Sequence, residues 1–492
     1  MKHNLIANIA GTACTGLVTL ALVPLYVRFL GTEGYGLIGF YASIMVIVAL
    51  LDFGLGITVN REFARRSPDQ TGVEAWAMLR TAEWIYTAIA VLVGTTLFAA
   101  APWISSHWFS RRALSGDLIT AVLQAMSVAV AFRFLYGLYA SALLGAMHHV
   151  TLNAIAIGTA IVRGCTAIVL LIFFAADLRM LMLAEIPIAA LQTIAAAVAM
   201  YRSKSRVARI PHLDFASLRK AWSFGIVVAV IGVLSGLVSQ VDRLVVSRVL
   251  PLSVFGAYTV AVTIGAIVSM VVAPVHATLF PRFTQLFVRR ESEELARVYH
   301  RGTQVIAAMM FPVAIVAAMF PEEIVGLWIG SRALAAEMRW TVTFLVIGSA
   351  FYALTTLLYA LQLASGWLTP TVLLNGVALA TLIPASIWSA SRYGAAGPAA
   401  TWLIVNAAVL LIDGLATHAR LLPGHLFRWL ARDLAPSAVV VLVVSVVARM
   451  TWNAVQPVEP LAIAAMLAAT GLVALAAAAY TADAVRDHLH RR

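Results

Sequence analysis

Arg28-Phe29-Leu30-Gly31-Thr32-Glu33-Gly34-Tyr35-Gly36 and Arg248-Val249-Leu250-Pro251-Leu252-Ser253-Val254-Phe255-Gly256 are two copies of one turn, and the fold is read outward from them. Arg, Leu, an aromatic residue and Gly fall in register without gaps, displaced by 220 positions (28 to 248). The same displacement carries Phe63 onto Phe283. Each copy lies between two long apolar runs, as expected of the turn between the first two helices of a repeated unit. The competing reading is chance likeness of two short hairpin turns, and the matching topological position weighs against it.

The runs beside the turns are long enough to cross a hydrocarbon core about 30 Å thick, and similar runs recur along the 492 residues. The chain is 62% hydrophobic and 11% charged, far below the charge of a soluble domain, and little of it is left over for one. The expected spans are 5–29, 37–60, 80–102, 118–145, 153–176, 180–201, 222–248, 256–281, 302–329, 338–364, 370–391, 398–418, 434–453 and 460–482. Six spans separate the two turns. An even number gives both six-helix units the same orientation, with an axis along the membrane normal, and parallel halves are a transporter architecture.

With the N-terminus in the cytoplasm, most of the 34 Lys and Arg gather on one side. The clusters are Arg61, Arg65, Arg66; Arg202, Lys204, Arg206, Arg209, Arg219, Lys220; Arg282, Arg289, Arg290, Arg297, Arg301; Arg420, Arg428, Arg432; and Arg486, Arg491, Arg492. This positive-inside bias puts both termini in the cytoplasm. It also accounts for the net charge of +12 without nucleic acid, which would need one basic surface interleaved with aromatic residues. The run from Leu5 to Phe29 is too long for a signal-peptide core and reads as a retained helix. Cys14 and Cys165 lie inside expected spans and read as small packing residues rather than as a disulfide or metal pair.

The longest cytoplasmic connections are 202–220 and 283–301. The second carries a partial apolar stripe with basic residues between, which suits either the inner leaflet or a solvated connector. Tyr26, Tyr35, Trp76, Trp84, Trp103, Trp108, Trp328 and Trp340 stand toward span ends and read first as interfacial belts.

Asn4-Leu5-Ile6-Ala7-Asn8, the helix end Pro24-Leu25-Tyr26-Val27-Arg28-Phe29-Leu30-Gly31, Glu33-Gly34-Tyr35-Gly36 and Leu50-Leu51-Asp52-Phe53-Gly54-Leu55-Gly56 together form a recognisable opening. With Leu218-Arg219-Lys220-Ala221-Trp222-Ser223-Phe224-Gly225 and Gln240-Val241-Asp242-Arg243-Leu244-Val245-Val246-Ser247, the chain resembles the polysaccharide-exporter branch of the multidrug/oligosaccharidyl-lipid/polysaccharide transporter superfamily. These are the flippases of O-antigen and exopolysaccharide repeat units. The resemblance implies two six-helix lobes around a central cavity with two helices appended. It also implies movement of an undecaprenyl-diphosphate-linked oligosaccharide from the cytoplasmic to the periplasmic leaflet of a bacterial inner membrane by alternating access, alongside polymerase and chain-length machinery. The expected fold is therefore an all-α polytopic membrane protein of about fourteen helices. A first lobe covers 1–201, a cytoplasmic linker 202–220, a second lobe 221–418, and two further helices with a cytoplasmic tail 419–492.

A charge at mid-membrane is costly, so intramembrane ionisable residues are functional candidates. Arg133 and Arg163 sit near the centres of consecutive spans, and guanidinium forks match diphosphate oxygens bidentately. They are the candidate head-group ligands; the competing role is pairing with Asp52, Glu83 or Glu185 to fix helix packing. Arg28 and Arg248, at equivalent outer ends, are candidates for the cavity mouth, although an Arg at a helix end commonly snorkels to lipid head groups. Asp52, Glu185 and Asp413 are candidates for a coupling proton or cation, each also readable as structural. The glycines after Asp52 suggest a bend or close helix contact there. Asp242 and Arg243 belong to the resembling motif, but neighbours on a helix point about 100° apart and so make separate contacts. Pro274 and Pro384 offer kinks, and His276 reads as a packing or backbone contact.

No HExxH, GxSxG, P-loop or CxxC pattern is present, and no cofactor or metal is expected. A membrane polysaccharide polymerase or ligase would carry a long external loop rich in Arg and His, and the external loops here are short. An ATP-driven exporter would need a nucleotide domain, and a scaffold for polymer assembly is the non-transport alternative. A multidrug extruder would have about twelve helices and a carboxylate-lined cavity. A lipid II flippase would show much the same charges as this chain.

Overall fold

An unbroken helix through Lys2–Ala49 would run roughly 70 Å, more than twice the apolar core, so it has to turn back. In the computed structural model, which describes residues 2–65, 73–110, 113–174, 177–203 and 230–482, it does so at Gly31, whose φ of 71° and ψ of 176° suit only glycine. Helix α1 (Lys2–Ala49) is thus two crossing arms. A tight turn Leu50–Asp52, with Phe53 and Gly54 at φ 45° and 78°, then leads to α2 (Leu55–Ala64). The helices that follow are α3 (Val73–His107), α4 (Gly116–Gly145), α5 (His149–Phe173), α6 (Leu178–Arg202), α7 (Val230–Val238), α8 (Val241–Val249) and α9 (Leu252–Arg289). Beyond them come α10 (Ser292–Met319), α11 (Pro321–Ile329), α12 (Arg332–Ser365), α13 (Thr369–Tyr393) and α14 (Ala396–Leu421). A short α15 (Leu426–Arg428) and a π turn (Trp429–Leu434) run into α16 (Ala435–Val455), and α17 (Pro460–Thr481) ends the described chain.

Among the described residues, 12 helices are long and apolar enough to cross a membrane, or up to 13 with α7 and α8 as one span bent by 42°. Dividing α1 at Gly31 adds one more and reaches the number read from the sequence. The cluster from Lys204 to Lys220, the 218–225 motif, Arg66 and the tail with Arg486, Arg491 and Arg492 lie outside the described residues.

Both repeat copies are helix–break–helix turns. The first breaks at Gly31; the second ends α8 at Val249, extends at Leu250 (φ −105°, ψ 161°) and restarts as α9 at Leu252. The shared terminal glycine has a steric reason: a Cβ on Gly256 would lie 1.8 Å from the Thr32 carbonyl oxygen. Phe63 and Phe283 are both buried, and each meets an aromatic ring near the start of the next long helix. Phe63 meets Trp76 at 5.5 Å and Phe283 meets Tyr299 at 6.3 Å.

The described chain forms two compact units, Met1–Gly256 and Ala257–Arg492. In the first, α4 is the hub, packing on α1, α2, α3, α5 and α6. It is apolar around most of its surface, as a central helix must be, with Arg133 the mid-helix exception. In the second, α12 packs on α10 and α14, and α16 and α17 lean on α10 through Val441, Ala474 and Ala478 against Val316 and Phe320. Arg449 of α16 caps this cluster, ion-paired with Glu323 of α11 and lying 5.3 Å over the Phe320 ring.

The 283–301 connector is shorter than the sequence suggests. α9 continues to Arg289 and α10 begins at Ser292, with a turn through Arg290 at φ 59°. A helix leaving the membrane needs no apolar residues to stay helical, and Glu294–Arg297 (2.8 Å) supports the first turn of α10.

Candidate functional site

Three helices of the first unit bring their mid-membrane charges to one point. Arg133 comes from α4, Arg163 from α5 and Glu185 from α6, and all three line a cavity of ≈ 310 Å³ with Tyr26 and Tyr41 of α1. Arg133 Nη2 donates to Glu185 Oε1. Arg163 Nε donates to both carboxylate oxygens, each at 3.1 Å. The Arg133 guanidinium also lies 5.7 Å over the Tyr41 ring. Glu185 is buried, while the side chains of Arg133 and Arg163 keep 20% and 27% of their surface.

Two cations sharing one anion leave a surplus positive charge in a low-dielectric cavity, where Coulomb forces are weakly screened. Arg133 Nε and Arg163 Nη2 have no hydrogen-bond partner among the described residues. A polyanion entering the cavity would meet net positive charge on the accessible part of two guanidiniums already oriented by Glu185.

The arrangement joins two sequence readings that stood as alternatives: the arginines share a cavity, and they also pair with an acid. Glu83 is engaged elsewhere, accepting from Tyr201 Oη at 2.7 and 2.8 Å. Arg28 is exposed beside the Phe29 ring and does not line this cavity. Arg248 is exposed too, with Nη1 3.5 Å from the Trp108 carbonyl. Asp52 holds the bend after α1: its Oδ1 accepts from Gly56 N at 2.8 Å and from the Tyr86 hydroxyl, capping α2. Asp242 is buried, and Arg243 donates to Gln240 Oε1 at 3.3 Å.

Asp413 lies in the second unit, 2% exposed, with no ion pair among the described residues. Its Oδ1 accepts from Gln362 Nε2 at 2.5 Å and from Thr417 Oγ1 at 3.4 Å. Gln362 Oε1 in turn accepts from Thr371 Oγ1 at 2.5 Å. His276 makes the expected backbone contact, with Nε2 2.6 Å from the Thr356 carbonyl. Sequence reasoning missed the clamp made by Glu33, whose Oε2 accepts from Ala113 N (3.0 Å) and Leu114 N (3.1 Å). It also missed a histidine–aspartate cluster in the second unit. Glu33 stood in a quoted motif, but nothing local signals that a loop some eighty residues away docks on it.

The chain is similar in fold to the lipid II flippase MurJ in an inward closed conformation, with a TM-score of 0.74 at 12% identity over 99% of this chain and 100% of that one. It is also similar to an inward-facing multidrug resistance MATE family transporter of the MOP superfamily, with a TM-score of 0.66 at 15% identity, covering 85% of this chain and 96% of that one. A Shigella flexneri protein named as an O-antigen transporter is 20% identical over 417 residues, 84% of this chain and 97% of its own. Residues 1–287, more than half the chain and including the whole Arg133–Glu185–Arg163 site, match the polysaccharide biosynthesis protein family, and the chain belongs to that family.

Proposed function

We propose that this protein is a flippase in the bacterial inner membrane, with both termini in the cytoplasm. It moves an undecaprenyl-diphosphate-linked oligosaccharide repeat unit to the periplasmic leaflet by alternating access, supplying polymerase and chain-length machinery. Arg133 and Arg163 hold the diphosphate. The observation that supports this most directly is the pair of arginines sharing one carboxylate, Glu185, in a cavity where part of each arginine side chain stays accessible. A diphosphate carries about two or more negative charges and accepts forked guanidinium bonds, so it gains most where positive charge exceeds negative. Glu185 restrains both guanidiniums before the ligand arrives, which lowers the entropy lost on binding. It also keeps the empty cavity from holding two uncompensated charges. Arg28 and Arg248, both exposed and outside the cavity, are left out of the head-group role.

The test is surface polysaccharide in a deletion strain complemented with wild type, Arg133→Ala or Arg163→Ala, at matched membrane abundance. Loss of polymer in both variants, with lipid-linked repeat unit accumulating inside, is the expected result. Normal polymer in both would remove these arginines as the head-group site. One observation favours a second reading: the likeness to the lipid II flippase takes in 99% of the chain, including the last two helices. Under that reading the same arginines hold the same diphosphate, and the deletion strain stops dividing instead of losing only its polymer.

A further inference from the structure

The proposed site leaves unused a buried cluster of ionisable side chains in the second unit. His300 of α10 is 2% exposed, and its Nδ1 is hydrogen-bonded to Oδ2 of Asp433, whose side chain is fully buried. Gln304 Nε2, one turn along α10, donates to Asp433 Oδ1 at 2.9 Å. On the other edge of the ring, His300 Nε2 lies 2.8 Å from Nδ1 of His425, which is partly exposed in the turn between α14 and α15. The line runs from a residue in contact with solvent, through a buried ring, to a buried carboxylate. Asp433 is held by the π turn Trp429–Leu434, a rare geometry that is frequent at functional sites.

We propose that His425, His300 and Asp433 form a proton-binding relay loaded from solvent through His425. The hydrogen bonds permit one consistent count. An ionised Asp433 takes the Nδ1 proton of His300 as its donor, so His300 Nε2 is an acceptor and His425 presents Nδ1–H to it. His425 Nε2 is then free of a proton at the outer end. A proton from water binds there, the His425 Nδ1 proton passes to His300 Nε2, and His425 is again neutral as the other tautomer. His300 becomes an imidazolium hydrogen-bonded to Asp433, and the cluster goes from one negative charge to none. Burial, helped by His300 and Arg428 and opposed by Asp433, pushes the His425 pKa down from its ordinary value.

The surroundings leave the carboxylate as the close countercharge. Tyr299 packs on His300 at 5.7 Å and on His418 of α14 at 5.6 Å, and Asp413 of α14 acts on Tyr299 from farther off. His418 Nδ1 donates to the Gly414 carbonyl at 2.7 Å. His418 Nε2 and Trp429 Nε1, on rings 4.9 Å apart, have no partner among the described residues. Arg428, Arg432 and Arg301 border the cluster in sequence and are exposed. Charges on the other elements packed against α10 stand at its far end, where Arg449 pairs with Glu323 and Arg339 with Glu322. The ionisable side chain of α17 is Tyr480, 61% exposed.

If the chain transports as proposed above, this is a place where a proton exchanged during the cycle would bind, and that clause alone rests on the flippase reading. The test is a titration of the full-length, 15N-histidine-labelled protein in lipid nanodiscs, followed by NMR. As the pH is lowered, His300 is expected to show protons on both ring nitrogens together with a tautomer change at His425. His425→Gln, at the partly exposed end where folding is least at risk, should abolish the appearance of the second ring proton on His300. A His300 ring that never carries both protons, or that carries them equally in His425→Gln, would overturn the relay. Polymer output several-fold lower in His425→Gln cells at normal abundance would tie the proton to transport. Normal output would sever that tie while the titration still stands, and the deletion strain tests the flippase reading separately.

Discussion

The two units bury carboxylates within membrane-spanning helices and neutralise them in different ways. In the first, Glu185 is met by two guanidiniums and opens on a cavity, so the site carries surplus positive charge. In the second, Asp413 is met by a carboxamide and a hydroxyl, closed over by further hydrogen bonds, with no cation beside it among the described residues. Ion pairing leaves a field outside the cluster that a ligand can feel, whereas dipoles satisfy a carboxylate locally and leave little beyond it. The difference is what the proposed roles rest on: anion recognition in the first unit and proton binding in the second.

The largest effect should come from removing the shared anion. Glu185→Gln keeps the shape of the side chain but leaves Arg133 and Arg163 facing one another in a poorly solvated cavity. Removing one member of a buried ion-paired set costs about 3–5 kcal/mol. We expect a clearly lower thermal unfolding midpoint in detergent and reduced membrane abundance. Wild-type melting would mean that water in the cavity solvates both arginines, and the contrast between the units would fail.

Thr371→Val probes the second unit with a smaller change. The Thr371 hydroxyl is the donor to Gln362 Oε1, and valine keeps the volume while stranding that buried oxygen. The expected loss is about 1–2 kcal/mol, read from the same melting experiment. No change at all would show that Gln362 finds another donor and that the network is looser than its distances suggest.

The crossings and the repeat were legible in the sequence because both are written in composition and local order. Apolar length marks a span wherever it packs, and Arg28–Gly36 against Arg248–Gly256 needs no tertiary information. That Arg133 and Arg163 share a cavity was also within reach, since both are central in consecutive helices. Which of three acids they meet was not, because Glu185 and Glu83 differ only in the face that packing assigns them. Asp52 stood out as an intramembrane acid, yet its capping of α2 depends on a backbone break at Phe53 and Gly54 that hydropathy does not register. His300 and Asp433 are 133 residues apart, each near a span end where polar residues are ordinary, and they meet only where the π turn packs against α10. The end of α9 was misread for the opposite reason: a helix extending past the bilayer has the composition of a loop.

Asp413→Asn should have the smallest effect on folding, and for that reason it discriminates best. The amide oxygen can take the place of Oδ1 and go on accepting from Gln362 and Thr417, so the network loses a charge but no acceptor. With no cation beside the carboxylate, removing that charge breaks no ion pair and also relieves desolvation. Stability should stay within about 1 kcal/mol of wild type. A loss as large as that of Glu185→Gln would show that the charge itself is needed in the second unit, and the two units would then be alike. Polymer output from the same variant reads something different. If Asp413 takes part in ion coupling, export falls while the protein melts normally, because an amide cannot bind and release a proton. If export is unchanged, the carboxylate is a packing group and coupling lies elsewhere, with the His300–Asp433 cluster the remaining candidate in that unit.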